Sequence, residues 1–273
     1  MRNKSLMILF CMAVMSGALA AQPQSFVVPL SNPGQPAVLE ASVMMGTILV
    51  EGYEGSEVQV EVTFEQDSDH DDEGDEGEER EGLRRIPSSS AGVTVEERNN
   101  KVEIGTDWSG EDVHLVIKVP YQTSVHLGGV NGDLIEVHNV KGAHELSHTN
   151  GEIIATGIQG SVIANTTNGD VHVEIEEIDA DTPMSFSSFN GDVEVVVPAS
   201  TRANLYMQAQ QGDIYTDFDV QLQPTKPKVT QEREGSGGYR VRMEKAVEGT
   251  LGGGGPEFRF KTFNGDIILR KPK

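Results

Sequence analysis

The triplet Asn-Gly-Asp and its near copies recur through the chain, as Asn131-Gly132-Asp133, Asn150-Gly151-Glu152, Asn168-Gly169-Asp170, Asn190-Gly191-Asp192, Gln211-Gly212-Asp213 and Asn264-Gly265-Asp266. The first five stand 18 to 22 residues apart. An Asn-Gly pair tolerates positive φ at both positions, and alternating apolar residues follow each copy, as in "GDVEVVVP", so each copy marks a turn between strands. "KGAHELSHTNGEI" at 141–153 superimposes without a gap on "QGSVIANTTNGDV" at 159–171, Gly142 on Gly160 and Asn150 on Asn168. A unit of this length with two short strands and two turn signals suits one coil of a parallel β-helix-like solenoid, in which equivalent residues stack from rung to rung. Asparagines stacked at such a corner are placed to hydrogen-bond along the axis. The competing all-β architecture is a β-sandwich of hairpins, since each Asn-Gly is also flanked by strands. The period favours the solenoid, because hairpins do not need one.

The rest of the chain fits one continuous domain. "IKVPYQTSVHL" with Pro120 and "VVVPASTRANL" with Pro198 each end a strand in Val-Pro, which belongs at a corner because proline cannot donate to a ladder. The strand-like region 25–64 carries Gly46-Thr47-Ile48 where later units have Gly-Asp-Ile, and reads as a degenerate first coil or cap. Residues 91–273 form the repeat region, with "QPTKPKVTQEREGSGG" at 223–238 expected to be a long loop. Residues 65–90 are densely acidic with almost no apolar content, so they are expected to be a disordered insertion between two strands. No segment shows a helical period.

At the N-terminus, Arg2 and Lys4 precede an apolar run of roughly 15 residues closing on Ala18-Leu19-Ala20, the pattern of a cleaved export signal. Residues 1–20 are therefore expected to be a signal peptide, and 21–273 a single β-repeat domain, periplasmic or at the cell surface. Cys11, the one cysteine, leaves with the signal, so no disulfide is expected. No later stretch is apolar enough for a spanning helix. The net charge of −22 argues against nucleic acid and anionic lipid as partners.

Several patterns bear on chemistry. "HELSH", His144 to His148, matches the H-E-x-x-H zinc-protease pattern, which needs a helix to bring both imidazoles to one metal. Here the stretch aligns with a neighbouring repeat strand, on which the two histidines would lie ~13 Å apart, so it is read as structural. In the acidic insertion Asp67, Asp69, Asp71 and Glu78 fall at the first, third, fifth and twelfth places of a calcium loop, but Asp72 takes the place of the required glycine. They stand as a weak calcium site at most. His114, His126, His138 and His172 alternate with apolar neighbours and are expected on the outer face. "LGGGGPEF" at 251–258 lacks the lysine and helix of a phosphate loop. The aspartates after Asn-Gly are read as corner residues accepting backbone hydrogen bonds. No catalytic residue, cofactor or stoichiometric metal is expected.

The order of these features, from "GTILVEG" through "VIKVP" and the serial N-G-D units to "GGGGPEFRFKTFNGDIILRK", resembles the DUF4097 family of exported bacterial proteins over residues 38–64 and 93–271. The resemblance implies a β-helix-like fold, an envelope setting and an adhesin-like role, with an envelope protein or polysaccharide as partner and no catalytic residues to carry over. The acidic insertion departs from the family pattern. The expected function is thus a non-enzymatic exported binding or scaffolding module. Two other readings stay open: a carbohydrate-active enzyme, since parallel β-helices host such chemistry, and a calcium-responsive envelope accessory protein acting through the acidic loop.

Overall fold

The computed structural model describes residues 23–65, 92–106, 112–179, 181–224, 228–233, 239–244 and 246–273. Every regular element among them is a β-strand. In chain order these are β1 (Gln24–Pro29), β2 (Ala37–Tyr53), β3 (Glu57–Glu65), β4 (Val93–Arg98), β5 (Lys101–Thr106), β6 (Asp112–Pro120), β7 (Thr123–His138), β8 (Lys141–Asn168), β9 (Val171–Ile178) and β10 (Met184–Asn190). There follow β11 (Val193–Val196), β12 (Ala203–Gln211), β13 (Ile214–Thr216), β14 (Gln221–Leu222), β15 (Lys228–Arg233), β16 (Tyr239–Glu244), β17 (Val247–Leu251), β18 (Glu257–Asn264) and β19 (Ile267–Arg270).

All but β15 and β16 join one sheet, and its central pairings are parallel. The architecture is the solenoid and not the sandwich. Each coil has an arm before the Asn-Gly corner and an arm after it, and the long strands β2, β7 and β8 run through their corners. Period-two alternation turns one face of each arm inward. Before the corner this buries Leu127, Leu146, Ala164, Phe186, Phe260 and Met207, each four residues ahead of its Asn or Gln. After the corner it buries Ile135, Ile153, Val171, Val193 and Ile267. Both arms pack into one continuous core.

The rungs do not stack in chain order. From one end they run β5 with β6, then β2, then β7, then the two coils of β8 with β9, then β10 with β11. The next rung is β18 with β19, and only after it come β12 and β13. β2 is therefore an inner rung and not the terminal coil that its irregular sequence suggests. Its corner keeps Gly46 at positive φ, with Met45 and Thr47 in place of the asparagine and aspartate, and both of its edges accept parallel partners. Capping falls to antiparallel strands, with β4 on β5, β3 on β6 and β1 on β3 at one end, and β17 on β12 and β14 on β17 at the other.

The stretch 223–238 is not simply a loop. β15 and β16 form an antiparallel hairpin paired only with itself, Lys228 opposite Glu244 and Arg233 opposite Tyr239. Alternation around Val229 and Val241 supplies strand pattern that the surrounding proline and glycine mask. The signal segment 1–20 and nearly all of the acidic insertion lie outside the described residues.

Candidate binding surface

The corners fix the geometry of every outward side chain. Asn150 Nδ2 donates to Asn131 Oδ1 at 2.8 Å, and the ladder continues from Asn168 to Asn150, Asn190 to Asn168 and Asn264 to Asn190, each at 2.7 Å. The aspartates run beside it. Asp170 Oδ1 accepts the backbone N–H of Asp192, Asp192 that of Asp266, and Asp266 that of Asp213, at 2.7 to 2.8 Å. Two residues before the asparagine, the hydroxyls of Thr166, Ser188 and Thr262 donate to the carbonyls of Gly151, Gly169 and Gly191 on the preceding rung. Gly169, at φ +147, shows why only glycine fits between, since a Cβ there would run into the Gly151 carbonyl oxygen.

"HELSH" lies in β8 as a strand, with Glu145 and Ser147 outside and His144, Leu146 and His148 in the core. His148 sits where three later rungs carry the hydroxyls of Thr166, Ser188 and Thr262, and its ring covers Gly129. Neither ring nitrogen of His148 has a hydrogen-bond partner; His144 has one, from Nδ1 to the Ser161 carbonyl at 3.2 Å. Burial lowers the pKa of both, so both are held neutral. The inward direction of these two histidines is not evident from their polarity. It is evident from the repeat alignment, which puts them over Val162 and Thr166.

His114, His126, His138 and His172 lie outward as expected, each beside a hydroxyl or carboxylate rather than another histidine: Thr47, Glu145, Glu136 and Glu174. Among the described residues no group of three His, Cys, Asp or Glu is placed to hold a metal. Asp67, Asp69, Asp71 and Glu78 lie outside the described residues.

The outer face of the arms before the corner carries a groove of about 630 Å³. Its floor is a column of short residues, Gly105, Ser42, Gly128 and Ser147, in register across β5, β2, β7 and β8. One wall is the column two residues earlier, Glu103, Glu40, His126 and Glu145, extended by Glu96 of β4. Lys101 bridges Glu103 and Glu40. Its ammonium holds the Glu103 carboxyl below the ordinary range, and the two carboxylates raise the Lys101 pKa. Depression is the wrong direction for a general acid, which needs a raised pKa. The arrangement instead offers ionised acceptors at the rung spacing of ~4.8 Å. The sequence signal for this floor is the residue three places before each corner, which reads Ser42, Gly128, Ser147 and Asn165 in successive rungs. It becomes visible only when the units are aligned on their corners.

The Toastrack DUF4097 family model matches residues 125–250. Over these residues the chain is similar to the Toastrack family. The match spans the rungs from β7 to β13 and the closing strand β17, and the same stack takes in β2 on one side and β18 and β19 as an inserted rung. No curated protein matches. Among solved structures, a "putative cell adhesion protein" from Clostridium sporogenes aligns at 11% identity over 92% of this chain and 100% of its own, with a TM-score of 0.47. A "putative adhesin" from Bacteroides fragilis aligns at 10% identity over 92% and 97%, with a TM-score of 0.39. Likeness at this level carries no argument about this chain. Among the described residues no helix is long and apolar enough to cross a membrane.

Proposed function

We propose that this protein is an exported, non-enzymatic β-solenoid, a single domain after removal of its signal, that serves as an adhesin-like binding or scaffolding module of the bacterial envelope. Its ligand is an extended envelope protein or polysaccharide lying along the groove across β5, β2, β7 and β8. The observation that carries this reading is the floor of Gly105, Ser42, Gly128 and Ser147. Short residues in register leave a continuous trough, and four rungs held by backbone pairing keep its walls fixed. A preorganised trough loses little entropy when an extended chain settles in it.

Gly128→Arg tests the reading. A Cβ at Gly128 meets only the Ser42 side chain at ordinary contact distance, so the substitution fills the groove and offsets its charge without disturbing the stack. The full chain is expected to sediment with isolated envelope fractions and the variant to lose most of that retention, with unchanged β-type circular dichroism. Equal retention of both proteins would remove the groove from the account.

A further inference from the structure

The motif "GGGGP" at 252–256 has a role that its sequence does not announce. β17 and β18 flank β12 on opposite sides, antiparallel and parallel. The chain crosses from one side to the other over the start of β12, so close that a Cβ on Gly252 would meet the Thr201 carbonyl oxygen and one on Gly255 the Arg202 carbonyl. The four glycines are a strap that lets residues 257–270 slot between β10 with β11 and β12 with β13.

What holds the inserted segment there is side-chain identity. Phe186, Ser188, Phe189, Asn190 and Asp192 of the β10 rung face Phe260, Thr262, Phe263, Asn264 and Asp266. The two phenylalanine pairs stack at 5.2 and 4.8 Å, the second with its rings nearly parallel at 6°. Thr262 and Asn264 bond back to Gly191 and Asn190, and Asp266 N–H to Asp192. β12, the next unit in chain order, offers Met207, Ala209, Gln210 and Gln211 at these positions, and so can neither extend the aromatic stacks nor donate a hydroxyl. On its far side the segment meets β12 through Arg259, whose guanidinium lies 4.8 Å from the Tyr206 ring.

We propose that residues 257–270 are an exchangeable insertion strand, and that the slot between β10 and β12 accepts this segment from a second copy of the chain, giving a strand-swapped dimer. The slot recognises the Phe-x-x-Phe-Asn-Gly-Asp side chains and not the tether, so every contact is identical whichever chain supplies them. The strap is the hinge that opens, and swapping through such a hinge is a low-cost route to dimers. Its own tether favours the closed monomer in dilute solution, and mass action favours exchange as concentration rises.

The test uses full-length chains carrying Cys11→Ser. Ser187 and Lys261 are outward residues in direct register. One population carries Ser187→Cys, another Lys261→Cys, and a third both. The two single variants are mixed, unfolded, refolded together over a range of concentrations in a glutathione redox buffer, and analysed by mass spectrometry. The double variant is expected to close an internal 187–261 disulfide, which verifies the slot. The mixture is expected to yield a covalent dimer joined 187 to 261, its share rising with concentration. An internal link in the double variant without a 187–261 dimer at any concentration overturns the proposal, as does failure of the internal link itself.

Discussion

His148 occupies a position that a hydroxyl fills in three later rungs, and its neighbours accommodate it at a cost. A Cβ on Gly129 would stand 3.0 Å from His148 Nε2, so the missing side chain of one rung makes room for the ring of the next. Gly129→Ala alone is expected to destabilise the fold by about 1 to 3 kcal/mol through overpacking. In a His148→Thr background the same change should cost much less. A double-mutant cycle by denaturant unfolding would measure this coupling, and simple additivity would contradict the contact.

The same residues set an acid limit. The folded pKa of His144 and His148 is depressed below the ordinary 6.5, chiefly by burial. His144 also faces the Ser161 carbonyl and feels Asp179, which opposes the shift, and burial alone acts on His148. Below about pH 6.5 the unfolded chain binds protons that the folded one refuses, so stability is complete above that pH and falls as pH drops toward the lowered folded values. His144→Val with His148→Thr, the residues at the aligned positions of the next repeat, should flatten the acid side of a melting temperature profile between pH 7 and 5. Profiles of equal slope would show that these rings do not carry the effect. At the corner, Gly169→Val is expected to cost roughly 3 to 5 kcal/mol, since backbone strain adds to collision with the Gly151 carbonyl. Asn168→Ala, which removes two exposed ladder bonds, should cost about 1 kcal/mol. Chemical denaturation of the two variants would rank them, and a milder Gly169→Val would contradict the close corner packing.

At the level of elements, the corners are legible in the sequence because their chemistry demands particular residues. Only glycine fits under the next rung's glycine, and the Asn amide carries both a donor and an acceptor for the ladder. The paired strands β15 and β16 are less legible, because their alternation is short and flanked in sequence by Pro224, Pro227 and the glycine-rich stretch "GSGG". They pair with no rung. Replacing 225–245 by a short Gly-Ser linker is therefore expected to leave the thermal midpoint within a few degrees, measured by circular dichroism, and a collapse of the β signal would show that the hairpin braces the stack. Joining Phe64 to Gly92 through a short Gly-Ser linker in place of the acidic insertion should be tolerated too, because a polyanion without apolar anchors contributes little burial. Millimolar calcium that raised the midpoint of the intact chain and not of the deletion would assign cation binding to the insertion.

At the scale of the whole molecule the order of the rungs is the least legible feature. A fixed period suggests that unit follows unit, yet parallel rungs select one another by side-chain match across ~4.8 Å, and the FNGD unit at 264 matches the one at 190 better than the unit at 211 does. The inner place of β2 rests on its Gly46 corner and on two edges that both pair in parallel, with β5 and β6 on one side and β7 on the other. The most direct test of this account is an intramolecular disulfide map across one register level of the arms before the corner, in Cys11→Ser chains. Ser187, Lys261 and Gln208 lie in register in that order. Adjacent rungs bring Cα atoms within the ~7 Å a disulfide can span, and rungs two apart do not. The account predicts that Ser187→Cys/Lys261→Cys and Lys261→Cys/Gln208→Cys each close quantitatively while Ser187→Cys/Gln208→Cys stays reduced. Closure of the 187–208 pair, with the 187–261 pair open, would mean that the coils stack in chain order and would contradict it.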